Sequence, residues 1–380
     1  MSLYLDHAAT TPVRREVLEA ITPLLTTQFG NPSSAHEAGE RARAALDEGR
    51  RLVASALGVR DGEIVFTSGG TESNNLAVQG IAVATMLGRG ASHIVTTPIE
   101  HSSVREPARF LERVHGFEVT EVPVDGDGLV DPDDVAAALR DDTALVAVGL
   151  ANNEVGTVQP VARIAEACRA RGIPLHVDAV QAAGWLPLSL ADLGADSLAV
   201  SGHKLGTPQG IGALAIRTGV PLEPLLHGGG QERGRRSGTE NVAGAAALGV
   251  ALALAEAERE EAAARVSRIR DAFIADAAAL VPGIRLTGHP LHRLPSVASF
   301  VIPGANGEAV LVELERSGVL ASSGSACRAG STEPSHVLLA MGVDADEART
   351  AVRFSFPRTL DADLAPVARA LAAAVGELAA

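Results

Sequence analysis

Lys204, in Ser201-Gly202-His203-Lys204, and Asp178, in His176-Val177-Asp178, each close an otherwise apolar, strand-like run. A lysine so placed can form an imine with the aldehyde of pyridoxal phosphate. An aspartate elsewhere in the chain can hold the cofactor's pyridine nitrogen protonated, so that the ring withdraws electrons. Gly206 and Gly210 follow Lys204 closely, an uncommon setting for a merely solvated lysine, and burial there would depress its pKa toward that of a working base. Two readings of Asp178 stand side by side. A carboxylate in an apolar strand needs a cationic or hydrogen-bonding partner, which is either a pyridinium or the backbone N–H groups of a short helix over 179–183 that Asp178 would cap.

Three further stretches carry reactive groups. Ser68-Gly69-Gly70-Thr71-Glu72 lies between a strand-like run ending at Thr67 and a helical pattern from Ser73 to Leu87. Glycines that let a ligand approach the N–H groups of a helix start make a phosphate site, and in isolation the same residues are an ordinary turn. His101, in Glu100-His101-Ser102-Ser103, follows another strand and could stack on a cofactor ring and move protons. Cys327, in Ser322-Ser323-Gly324-Ser325-Ala326-Cys327, stands in a run of small residues beside Arg328, which favours its thiolate and suits it to act as a mobile nucleophile. The other cysteine, Cys168, shares a helical face with Val161, Ile164 and Ala165 and reads as core. Eleven histidines show no metal-ligand spacing such as H-E-x-x-H, so no metal is expected.

Composition narrows the class. With 46% hydrophobic and 21% charged residues the chain can bury a substantial core, and at 380 residues it is expected to split into two domains. A formal charge of -14 argues against tight nucleic-acid binding. Two cysteines cannot build a disulfide framework, the start has no signal-peptide pattern, and the longest apolar run, Val242 to Ala255, is too short to span a bilayer. A cytoplasmic, membrane-free protein is expected.

Strand-like runs at Ile64–Thr67, Ile94–Thr96, Ala144–Val148, Leu175–Val177, Leu198–Val200 and Ala213–Ile216 alternate with helical patterns and mostly lack polar alternation. That predicts an α/β fold with a mostly parallel sheet covered on both faces. Ala35 to Leu57 reads as an amphipathic helix stopped at Gly58, and Asn241 to Leu280 as a long helix. After Pro282-Gly283 the pattern is expected to shift to fewer strands and longer helices. The predicted division is a large domain over 16–255 and a smaller α+β domain formed by 1–15 and 256–380, carrying the Cys327 segment.

Taken in order, LDHAATTP, FGNPSSAH, FTSGGTESNN, EHSSV, NNEVGTVQP, HVDAVQ, SGHK, HGGGQERGRRSGTEN, SSGSAC and VRFSF span more than 300 residues. Their order and coverage resemble the cysteine desulfurases of the NifS/IscS type, among the class-V aminotransferase-like, fold-type I pyridoxal-phosphate enzymes. The resemblance implies conversion of L-cysteine to L-alanine, with the sulfur leaving as a persulfide on Cys327. It implies that Lys204 carries the cofactor, Asp178 pairs with the pyridine nitrogen, Gln181 bonds the phenolate oxygen and His101 stacks on the ring. Gly70, Thr71, Ser201 and His203 match phosphate contacts, Asn153 and Arg353 match residues that orient substrate, and Asn153 also borders the cofactor. Thr239 matches a residue that reaches the phosphate of a neighbouring subunit, which implies a homodimer. SSGSAC resembles the longer loop of the NifS/IscS group, which implies direct delivery of sulfur to acceptors such as an iron-sulfur scaffold or a tRNA-thiolation enzyme. Arg328 stands where many relatives have threonine, and the ending at Ala380 lacks the tail that IscS-type members use to hold a scaffold.

An aminotransferase would use the same Lys204 and Asp178 but give Cys327 no role. A selenocysteine lyase would use all three.

Overall fold

The computed structural model describes residues 2–323 and 333–379. Its centre is a seven-stranded sheet in the order Ile64–Thr67, Gly212–Ile216, Ser197–Ser201, Leu175–Asp178, Thr143–Gly149, His93–Thr96, Glu118–Glu121. All strands run parallel except Gly212–Ile216, which is antiparallel to both its neighbours. The six apolar runs expected as strands are therefore all strands. The edge strand Glu118–Glu121 carries a glutamate at each end and is partly exposed, which hid it from a reading tuned to apolar runs.

Helices cover both faces. Glu37–Ala56 and Gly70–Arg89 lie close to the expected spans, and Val242–Leu280 is one continuous 39-residue helix capped by the Asn241 side chain. Glu37–Ala56 crosses the start of that long helix at backbone distance. A Cβ on Gly49 would lie 2.7 Å from the Ala245 carbonyl oxygen, and one on Gly249 would lie 2.8 Å from that of Gly49. Glycine is required at both, because any larger residue would push the helices apart.

The long helix serves two cores. Up to Ala255 its buried residues join the sheet core, and from Val266 they join a second core with Phe273, Phe300, Phe354 and Phe356. Val297–Val301 pairs with Val352–Ser355 and Arg285–Leu286 in that second region, and Leu3–Tyr4 pairs with Val319–Leu320. The N-terminus thus packs with the C-terminal third. Among the described residues the expected longer helices beyond Pro282 do not occur. The described helices there are Gly307–Arg316, His336–Ala340, Ala345–Ala348 and Ala365–Ala379, because Gly318 and Gly342, both at positive φ, and Pro357 break the apolar periodicity into short pieces.

Buried charge fastens the HGGGQERGRRSGTEN segment to this frame. Glu232, with positive φ, takes both arms of Arg50 at 2.9 and 2.7 Å and the Phe66 N–H at 3.1 Å. Arg236 pairs with Glu72 in the first turn of Gly70–Arg89 at 2.8 Å. Glu232→Ala would strand the buried Arg50 guanidinium. The expected cost is about 3–5 kcal/mol, checked as a fall in the urea midpoint with unchanged m-value.

Among the described residues no helix is long and apolar enough to cross a membrane, and no group of three or more His, Cys, Asp or Glu is placed to hold a metal.

Candidate active site at the carboxyl ends of the strands

In an open parallel sheet, ligands bind beyond the carboxyl ends of the strands, where the loops diverge. Six strands end on one side here, the edge strand at Glu121 and five others at Thr67, Thr96, Gly149, Asp178 and Ser201. The segments that follow those five enclose a cavity of about 320 Å³. Its lining includes Gly70, Thr71, His101, Asn153, Asp178, Gln181, Ser201, His203, Lys204 and Arg353. Every site residue expected from sequence is therefore brought together except Thr239, which is exposed and does not line this cavity, and Cys327, which lies outside the described residues, as does Arg328.

Lys204 closes a single 3-10 turn after the strand Ser197–Ser201. Its Nζ donates to the carbonyls of Ala8 and Ala9 at 2.5 and 2.6 Å, so the N-terminal LDHAATTP segment sets its direction. Gln181 Nε2 shares the Ala8 oxygen at 3.0 Å. Beside Lys204, burial and the lysine's charge push His203 down to about 4, so its ring is neutral near pH 7.

Asp178 satisfies part of each reading that the sequence left open. Its Oδ1 accepts from the Val180 N–H at 2.9 Å, as a cap would, although 179–183 forms turns rather than a helix. Its Oδ2 accepts from Asn74 at 2.7 Å and borders the cavity. Asn74 was not singled out from the sequence. It also donates to Ser103 Oγ at 2.8 Å, and its Oδ1 lies 3.0 Å from His176 Nε2. A fully buried ring pushed down to about 3 by burial must be neutral, so His176 donates from Nε2 to that amide oxygen. Glu100 lies within electrostatic reach of Asp178; burial, then that neighbouring carboxylate, pushes it up to about 8. Near neutral pH it therefore adds no charge beside Asp178. A fixed carboxylate oxygen in a network of neutral partners is what a protonated pyridine nitrogen requires.

His101 caps the helix Ser102–His115 by accepting the Ser103 N–H at Nδ1, 3.0 Å away, which sets the ring plane against the cavity. At the opposite end, Gly69 has φ 154° and ψ -177° and starts the helix Gly70–Arg89. A Cβ on Gly70 would lie 2.7 Å from Val180 Cγ2 and 3.4 Å from Ser201 Cβ. The helix start thus packs on Val180 at a distance only glycine allows and lies beside Ser201, so that its first N–H groups and the Ser201 side chain form a cradle suited to an anion. A phosphate-bearing aromatic aldehyde fits this set: amine, carboxylate, stacking ring and anion cradle all face one volume.

Arg353, on Val352–Ser355, reaches the same cavity. Its two terminal nitrogens donate to Asn153 O at 2.9 Å and to Asp6 Oδ1 at 2.8 Å. Asp6 was missed in the sequence because it stands 347 residues from its partner.

A family model for aminotransferase class-V matches residues 3–363. The chain belongs to the class-V aminotransferase family. Within this family it is similar to proteins of the NifS/IscS type. It is 46% identical over 353 residues to a cysteine desulfurase IscS of Dictyoglomus turgidum, covering 93% of this chain and 89% of that protein. A solved NifS-like protein superposes with a TM-score of 0.91 at 37% identity over the whole of both chains. A structure described as SspA in complex with cysteine superposes at 0.82 with 36% identity, covering 94% of this chain and 99% of that one. The class-V aminotransferases of this branch are pyridoxal-phosphate enzymes, in agreement with the donor set of the cavity.

Proposed function

We propose that this chain is a pyridoxal-phosphate-dependent cysteine desulfurase that releases L-alanine and retains the sulfur on Cys327. The observation that carries this reading is the convergence of Lys204, Asp178, His101 and Arg353 on one cavity at the strand ends. When bound, the cofactor supplies an electron sink for the negative charge that develops at the substrate Cα.

The chain's own groups do the rest. Arg353, steadied by Asp6 and Asn153, holds the substrate carboxylate through its fork. Lys204 Nζ removes the Cα proton within a site that burial keeps largely dry. The Cys327 thiolate attacks the substrate sulfur, forming an S–S bond as the Cβ–S bond breaks. The electron pair of the broken bond stays with carbon, which takes up a proton to become alanine, so cysteine and one thiol give alanine and one persulfide.

Thr239 belongs to the segment held by Glu232 and Arg236, yet is exposed and outside its own cavity. This supports the reading in which it completes the phosphate site of a second subunit in a homodimer. Sulfur acceptors of the iron-sulfur scaffold or tRNA-thiolation kind are part of the same proposal. So is the division into a domain over 16–255 and one formed by 1–15 and 256–380, supported by the two separate cores along the long helix.

The test is intact-mass analysis of cofactor-loaded protein after brief exposure to L-cysteine without reductant, with alanine measured in the same tube. One added sulfur mapped to Cys327 together with alanine is expected. A keto acid without added sulfur would instead mark an aminotransferase.

Asp6 gives a narrower expectation. Asp6→Ala removes one of the groups that orient Arg353, worth about 1.5 kcal/mol for a charged hydrogen bond, so KM for L-cysteine should rise about tenfold. Cofactor content should be unchanged, and steady-state kinetics on the loaded enzyme separates the two effects.

A further inference from the structure

Glu154 joins parts of the site that the reaction uses separately. It follows Asn153, whose carbonyl accepts from Arg353, and its own N–H donates to the Asn152 side chain at 2.8 Å. Its side chain is 6% exposed and lies within electrostatic reach of Arg353 and His101. Ser335 Oγ donates to Glu154 Oε2 at 2.5 Å and accepts from the Leu338 N–H at 3.2 Å, capping His336–Ala340. The next residue, His336, bonds through Nε2 to the carbonyl of Glu100 at 3.1 Å, immediately before His101. Ser335 stands eight residues after Cys327. On the other side of Cys327, Ser322 exchanges two backbone hydrogen bonds with Arg353, at 3.1 and 2.6 Å.

Both roots of the cysteine-bearing segment are therefore tied to residues that hold substrate or ring, one through Arg353 and the other through Glu154. We propose that Glu154 is a positioning residue for sulfur transfer, fixing the chain that returns from Cys327 to the strand-end segments that carry Asn153 and His101. The contact asks residue 154 for an acceptor oxygen and not for a charge. Burial pushes the Glu154 carboxyl up to about 7, so its uncharged form is already well populated near neutral pH and glutamine is a fair substitute. The inference rests on the desulfurase reading for its kinetic consequence but not for its effect on the thiol itself.

Two readouts on the cofactor-loaded protein test it. The first is the rate of Cys327 alkylation by iodoacetamide, followed by mass, with buried Cys168 as internal reference. Glu154→Ala should raise that rate several-fold, while Glu154→Gln stays within about twofold of the unaltered protein. The second is single-turnover persulfide formation with L-cysteine. Glu154→Ala should slow it at least about tenfold, as misplacement of a reacting group does. Its KM and cofactor content should stay within about twofold, and Glu154→Gln should restore the rate. If Glu154→Ala fails to fold, Ser335→Ala removes the donor instead and should give the same pair of changes. Parental behaviour of Glu154→Ala, or of Ser335→Ala where that replaces it, would overturn the proposal. So would a Glu154→Gln as impaired as Glu154→Ala, or a defect confined to KM or cofactor content. Should the unaltered protein form neither alanine nor persulfide, the desulfurase reading fails, and the alkylation rates still decide the role of Glu154.

Discussion

Lys204→Ala is expected to fold normally, bind no cofactor covalently and lose at least about 10²–10⁴-fold in alanine release, the range that removal of a positioned acid–base group spans. The geometry makes the loss specific. Lys204 follows a fully buried strand by a single turn, and its Nζ is aimed by the carbonyls of Ala8 and Ala9 toward the volume shared with Asp178 and His101. In the described residues no other lysine exists to take its place, because Lys204 is the only lysine among the 32 basic residues of the sequence. Small exogenous amines should restore part of the rate if the missing group is a proton acceptor. Borohydride treatment separates attachment from catalysis: it should fix the cofactor to the unaltered protein and leave the variant unmodified. A variant that kept both attachment and rate would remove Lys204 from the mechanism. Because the two carbonyls it leaves border an open cavity, water can satisfy them, and the urea midpoint should move little.

How far the sequence led depends on whether a feature is local. The apolar strands, the two long helices and the glycine helix start were legible because each is specified by neighbours along the chain: buried strands by unbroken apolar runs, helices by spacings of three and four, the Gly69-Gly70 turn by its place between them. Strand direction was not, since Gly212–Ile216 is as apolar as the parallel strands of the sheet and only the returning loop reverses it. In the site, residues that end strands, such as Asp178 and Lys204, stood out as polar interruptions. Their partners did not. Asn74 is one polar residue in a helix start that already carries several, and its meaning arises only where Asp178, His176 and Ser103 meet it. Asp6 and Arg353 lie near opposite ends of the chain, and their pairing exists only because the N-terminus packs with the C-terminal third. Glu154 sits inside NNEVGTVQP, a motif noted for Asn153, and its burial against Ser335 has no signature along the chain.

Cys327→Ala should keep its full complement of cofactor, form no persulfide and release alanine only at background rate. Two cysteines make the outcome unambiguous. Cys168 is 1% exposed on the inner face of Val161–Ala170, and burial, reinforced by Asp196, pushes its thiol up to about 12. At neutral pH that leaves a thiolate fraction on the order of 10⁻⁵, and the thiolate is the nucleophile. Cys168 therefore cannot substitute for Cys327 by chemistry, nor by access, since reaching substrate would require its helix to leave the core. The complementary variant sharpens the point: Cys168→Ala should cost about 1 kcal/mol of stability for the lost packing yet transfer sulfur at the parental rate. Parental alanine release from Cys327→Ala would show that the carbon–sulfur bond breaks without this thiol. Sulfur mapped to Cys168 in the unaltered protein would mean that the core opens during turnover. If Cys327 is the sole acceptor, as proposed, neither result is expected, and the persulfide should form only when Arg353 and Lys204 are both intact.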